Sequence, residues 1–121
     1  MERTIALIGF GEAGSTFAKA AGWESAALAF DLNPARRAAM EEAGVVACAT
    51  AECALSDADI VLSLVTADSA LPAAQEYAAL LKPGAIWCDM NSVAPETKRA
   101  AARAIEAEGG LYVDVAVLAP V

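Results

Sequence analysis

Histidine is absent from this 121-residue chain. These residues therefore contain no imidazole general base, no His metal ligand and no Ser-His-Asp triad. Basic residues are scarce as well. Eight Lys and Arg face 16 Asp and Glu, for a formal net charge of −8 and a pI near 4.3. Such a surface repels nucleic acid and anionic lipid, so neither is an expected partner. Long hydrophobic runs are missing too: the apolar stretches are about five residues long, against roughly 20 for a membrane-spanning helix. Met1-Glu2-Arg3 leads directly into an apolar run, without signal-peptide architecture, so a soluble, cytoplasmic protein is expected. The three cysteines, Cys48, Cys53 and Cys88, are odd in number and lack metal or redox spacing. They are expected to serve as small buried hydrophobes, and no metal site is expected.

What the chain does have is apolar residue, 58% of the total, with mean hydropathy +0.47. That is enough for one domain with a real core. The apolar runs alternate with helical patterns along the whole length. Strands are predicted over Thr4–Ile8, Ala26–Phe30, Val45–Cys48, Ile60–Val65, Ala85–Cys88 and Leu111–Val115. Helices are predicted over Glu12–Ala21, from Asn33-Pro34 to Ala43, briefly over Thr50–Leu55, from Ser69 or Pro72 to Leu81, and over Pro95–Glu108. Gly22, Gly44, Pro83-Gly84 and Gly109-Gly110 supply the stops, and Asn33-Pro34 reads as an N-cap followed by an N1 proline. Six strands alternating with crossovers imply an α/β, doubly wound parallel sheet of Rossmann type, in order 3-2-1-4-5-6.

The most informative stretch is Gly9-Phe10-Gly11-Glu12-Ala13-Gly14, a G-x-G-x-x-G between the first strand and the first helix. Gly9 permits the tight turn, Gly11 lets the backbone approach a pyrophosphate, and Gly14 allows close packing of helix on sheet. The helix start offers free N–H groups and a partial positive charge to the phosphates. Phe10, Glu12 and Ala13 contribute backbone only. Asp31 closes the second strand, where a carboxylate accepts from the adenosine ribose 2′-OH and repels a 2′-phosphate. NAD is the expected cofactor, with NADP possible because Arg36 and Arg37 lie one turn beyond. Those arginines read first as solvated helix charges.

Ligands of such sheets sit outside the carboxyl ends of the strands. Backbone of Leu64, Val65 and Thr66 is therefore expected beside the nicotinamide ribose. Asp68 lies in an N-cap region. Asn91 and Ser92 follow the fifth strand as cofactor- and substrate-binding candidates, or as a loop capping the Pro95 helix. Asp89 and Asp114 end strands and read as loop anchors. The apolar stretch Ala116–Val121 is uncapped, and a second domain is expected to follow it.

Three blocks carry a resemblance. They are Ile8 to Gly14 with Ala18; Lys82-Pro83-Gly84 leading through Asp89 to Asn91-Ser92-Val93-Ala94-Pro95-Glu96-Thr97; and Gly109-Gly110-Leu111-Tyr112-Val113-Asp114. Together they resemble the N-terminal domain of the 3-hydroxyisobutyrate / 6-phosphogluconate dehydrogenase superfamily, the β-hydroxyacid dehydrogenases. The resemblance implies that residues 1–121 form the dinucleotide-binding domain. It also implies an all-helical C-terminal domain, absent from this chain, that completes the active site and forms a homodimer. The reaction implied is hydride transfer between nicotinamide and a small hydroxyacid. The family's catalytic lysine lies in that second domain. Lys19, Lys82 and Lys98 do not match its motif, so no catalytic residue is expected in this chain. The other reading is a non-catalytic NAD-sensing regulatory module.

Overall fold

A computed structural model describes residues 4–9, 27–91 and 93–115. Phe10, Gly11, Glu12, Ala13 and Gly14, the helix expected over Glu12–Ala21 with its Gly22 stop, Ser92, and Ala116–Val121 lie outside the described residues.

Six parallel strands form one sheet: β1 (Ile5–Ile8), β2 (Ala27–Phe30), β3 (Val46–Ala47), β4 (Ile60–Ser63), β5 (Ile86–Asp89) and β6 (Leu111–Asp114). Their order is β3-β2-β1-β4-β5-β6, as the alternation of strand and helix implied. The described helices are α1 (Arg37–Glu42), α2 (Ala51–Leu55), α3 (Ala67–Tyr77) and α4 (Pro95–Ala107). A 3-10 turn over Pro34–Arg36 leads into α1, and another over Ala78–Leu80 extends α3.

The strands are short and apolar because both sheet faces are covered. Side chains alternate across the sheet. Ala6, Ile8, Val61 and Trp87 pack with Leu55 of α2, Ala74 and Tyr77 of α3, and Ala101 and Ile105 of α4. Leu7, Ala29 and Leu62 point the other way and pack with Met40 of α1 and Val45. The amino edge is tied by Asp59, which accepts from Thr4 N at 2.8 Å and pairs with Lys82. Lys82 is thus occupied at the edge opposite the cofactor crevice.

Register aligns the carboxyl ends. Ile8 pairs with Phe30 and Ser63, Ser63 with Asp89, and Asp89 with Asp114. The sequence order reverses between β1 and β4, so the crevice opens above Ile8 and Ser63.

Two element boundaries differ from expectation for instructive reasons. β4 stops at Ser63 rather than Val65: Leu64 N still donates to Ile8 O at 2.8 Å, but Val65 N donates to the Asn91 side chain at 2.9 Å. A side chain 26 residues away takes the place of a strand neighbour. Helix α3 starts at Ala67, behind an extended Thr66, and carries Pro72 inside it. Proline there removes one backbone bond, a cost that tertiary packing of Ala70, Ala73 and Ala74 outweighs.

Candidate functional site

The crevice at the switch point holds a cavity of about 490 Å³, within the size range of small-molecule and cofactor sites. Three segments build it. Ile8 and Gly9 form its floor, Phe30-Asp31-Leu32 one side, and Leu64-Val65-Thr66 with Pro72, Ala73, Glu76 and Tyr77 of α3 the other. Gly9 has φ +92°, a conformation glycine adopts freely. Its N–H donates to Phe30 O at 2.9 Å. A Cβ at Gly9 would lie 2.4 Å from the carbonyl oxygen of Leu64. Here the turn out of β1 and the end of β4 nearly touch, leaving no room for any side chain.

Asp31 stands at the rim, shared by this cavity and a smaller one of about 150 Å³ on the far side of β2. Its Oδ1 accepts from Asn33 N at 2.8 Å, which fixes the carboxylate's direction. Asn33 in turn accepts from Ala35 N at 3.0 Å, so its side chain caps the Pro34 turn. The two arginines separate: Arg36 lines the larger cavity and Arg37 the smaller.

Several wall residues escaped the sequence reading. Phe30 and Tyr77 meet edge to face, centroids 6.4 Å apart at 87°, a favoured aromatic geometry. Burial, with the charges of Glu76 and Asp31, pushes the Tyr77 phenol up from its ordinary value. Leu32 is 78% exposed at the rim, although it is a leucine. The available signal is its place directly after Asp31.

A buried polar relay runs along the carboxyl edge from β4 to β6. Asn91 Oδ1 accepts from Val65 N. Its Nδ2 donates to Ser63 Oγ at 3.1 Å and to Asp89 Oδ1 at 2.8 Å. Asn91 N also donates to Asp89 Oδ1, at 3.0 Å. Tyr112 OH donates to Asp89 Oδ2 at 2.6 Å. Ser63, Asp89 and Asn91 are all buried. Asp89 is therefore an anchor, and Asn91 ties it to the start of the β4–α3 loop. Asp114 anchors by its ion pair with Lys98, and Thr66 Oγ1 donates to Ser69 Oγ at 3.1 Å.

Burial first, then the hydrogen bond to Asp89 and the charges of Asp89 and Asp114, push the Tyr112 phenol up, which keeps it a donor. Burial, with the Cys53 contact, pushes the Cys48 thiol up from 9.0 to about 12. A raised folded-state value means stability fully present below the unfolded value and lost as pH rises toward the folded one. Urea midpoints should therefore be flat up to about pH 8 and fall between about pH 9 and 12. An unchanged midpoint at about pH 10.5 would contradict the burial of these groups.

The model of the NAD-binding domain of 6-phosphogluconate dehydrogenase matches residues 4–119. The chain belongs to this family. A conserved hypothetical protein of Sinorhizobium meliloti 1021 is 39% identical, with TM-score 0.85 over 94% of this chain and 41% of its own. Mycobacterium tuberculosis 3-hydroxyisobutyrate dehydrogenase, solved with L-serine, shares the fold at 24% identity and TM-score 0.85, over 94% of this chain and 40% of its own. An imine reductase variant from Myxococcus stipitatus, in complex with NAD+, shares it at 22% identity and TM-score 0.80, over 94% and 40%. No curated protein matches the chain. The chain spans about 40% of the length of these solved structures. It is thus an NAD-binding Rossmann domain of the 6-phosphogluconate dehydrogenase family, and among its described residues no helix is long and apolar enough to cross a membrane. One expectation about cysteine is corrected: Cys48 is buried, but Cys53 is exposed and Cys88 only half-buried. Cys53 lies on a short helix whose buried positions are Ala51, Ala54 and Leu55, which leaves it facing outward.

Proposed function

We propose that this domain holds NAD(H) for reversible hydride transfer between nicotinamide and a small hydroxyacid. The observation that carries the cofactor choice is Asp31, fixed by Asn33 N at the rim of the switch-point cavity. In this reading the 2′-OH of the adenosine ribose donates to Asp31, and adenine lies between Leu32 and the Pro72–Tyr77 wall. Phe10, Gly11, Glu12, Ala13 and Gly14 hold the pyrophosphate with backbone N–H groups, and Gly9, whose own N–H is taken by Phe30 O, makes the turn that leads into them. Leu64, Val65 and Thr66 run beside the nicotinamide ribose. Asn91 sets that loop, and with Ser92 it borders the hydroxyacid. The cofactor supplies the hydride chemistry, and the protein supplies position and electrostatics. The catalytic lysine and the dimer contacts belong to a helical C-terminal domain in the intact protein. Family membership favours this enzymatic reading over a regulatory sensor.

The test is a fluorescence titration of the 121-residue chain with NADH and with NADPH. NADH should saturate, with no dehydrogenase turnover. NADH should be preferred by roughly tenfold, about 1.4 kcal/mol, because the rim is wet and screens the repulsion. Asp31→Asn should shrink that preference, leaving Arg36 free to meet the phosphate. If NADPH binds equally well to the parent, the role given to Asp31 is wrong. Turnover by this chain alone would refute the assignment of the lysine to another domain.

A further inference from the structure

Beside the cofactor crevice, two thiols lie in contact. Cys48 Sγ and Cys53 Sγ are 2.7 Å apart, well inside the roughly 3.5–4 Å of ordinary non-bonded contact and a short step from a disulfide bond of about 2.05 Å. Both residues are held by backbone bonds that closing the bridge would not break. Cys48 N donates to Ala29 O at 2.8 Å, pinning it to β2. Cys53 N donates to Thr50 Oγ1 at 3.1 Å, at the start of α2. Their environments differ. Cys53 is exposed to solvent, whereas Cys48 is buried behind it in the wall of the smaller cavity, with Asp31 and Arg37. Cys88 is set apart on β5, across β2, β1 and β4 from this pair. Among the described residues no third His, Cys, Asp or Glu joins the pair as a metal site.

We propose that Cys48 and Cys53 form a reversible dithiol–disulfide site that takes a hydroperoxide as oxidant. The Cys53 thiolate attacks one peroxide oxygen, the O–O bond breaks, and the leaving alkoxide or hydroxide takes a proton. Cys53 is then a sulfenic acid. The Cys48 sulfur attacks Cys53 sulfur, the S–S bond forms, the S–O bond breaks, and the hydroxide leaves as water with the Cys48 proton. Two thiols lose two electrons, and the peroxide gains them as an alcohol and a water. A short, prepositioned loop makes this second step faster than further oxidation of Cys53. The site does not depend on the cofactor reading.

The experiment treats the reduced 121-residue chain with limiting hydrogen peroxide. Free thiols counted after unfolding should fall from three to one. Peptide mass mapping should join Cys48 to Cys53 with the loss of two hydrogens, reversed by dithiothreitol. Trapping with dimedone, which captures sulfenic acid, should give at least about tenfold more adduct on Cys53 in Cys48→Ser than in the parent. Three surviving thiols, a sulfinic acid on Cys53, a dimer linked through Cys53, or equal trapping in parent and variant would each overturn the proposal.

Discussion

Gly9→Ala should lose NADH binding and cost the fold about 3 kcal/mol or more. Two penalties coincide. A non-glycine residue at φ +92° is strained, and its Cβ would sit 2.4 Å from the Leu64 carbonyl oxygen and 2.8 Å from its carbon. Both contacts are with backbone, so β1 and β4 must separate at the crevice floor, the place where the cofactor backbone is to lie. Gly84→Ala is the control. Its φ is +83°, but nothing lies within 4 Å of the added carbon. It should cost only about 1 kcal/mol and leave NADH binding alone. Urea unfolding and NADH titration of both variants separate conformational strain from close approach. Equal losses of stability would show that the contact with Leu64 contributes nothing.

Asn91→Leu should have the second large effect, about 2–4 kcal/mol of stability. The branching and heavy-atom count are kept, but Val65 N and Ser63 Oγ lose their partner and the buried Asp89 carboxylate loses a donor. A binding readout separates positioning from plain destabilisation. In the proposed pose the Val65 peptide runs beside the nicotinamide ribose, so NADH affinity should fall by roughly tenfold or more, about 1.4 kcal/mol, while ADP, which lacks both the nicotinamide and its ribose, binds nearly as before. Asn91→Asp retains an acceptor for Val65 N but sets a second carboxylate against Asp89. The two can share one proton, which raises the folded-state value above the unfolded one. Its stability should therefore be greatest at low pH and fall as pH rises. If Asn91→Leu weakens NADH and ADP alike, Asn91 acts on the whole fold and not on the Val65 loop.

The elements of this fold were legible because their signals are local. Five-residue apolar runs bounded by glycine and proline mark strands that both faces must bury. Their alternation with helical patterns, together with the right-handedness of parallel crossovers, leaves few sheet orders. The order β3-β2-β1-β4-β5-β6 follows. So does the place of Asp31, because an acid after the second strand must come out at the carboxyl edge. The helix cap of Asn33 was equally readable, since donor and acceptor lie two residues apart.

Pro72 misled that reading, because local rules favour proline in the first turn of a helix and so offer it as a start. Only the burial of Ala70, Ala73 and Ala74 shows why the helix already runs from Ala67, ahead of both Ser69 and Pro72. Asn91 was recognised as polar and well placed, but its partners, Ser63 and Val65, lie 28 and 26 residues back. Tyr112, 23 residues past Asp89, gave no sign of its bond to that carboxylate. Nor did the Cys-x-x-x-x-Cys spacing show that the two sulfurs meet, since that contact depends on the turn between β3 and α2. Periodicity acts through neighbours in the chain and determines which elements form. Register and crossover geometry act between strands, and they decide which side chains meet at the site.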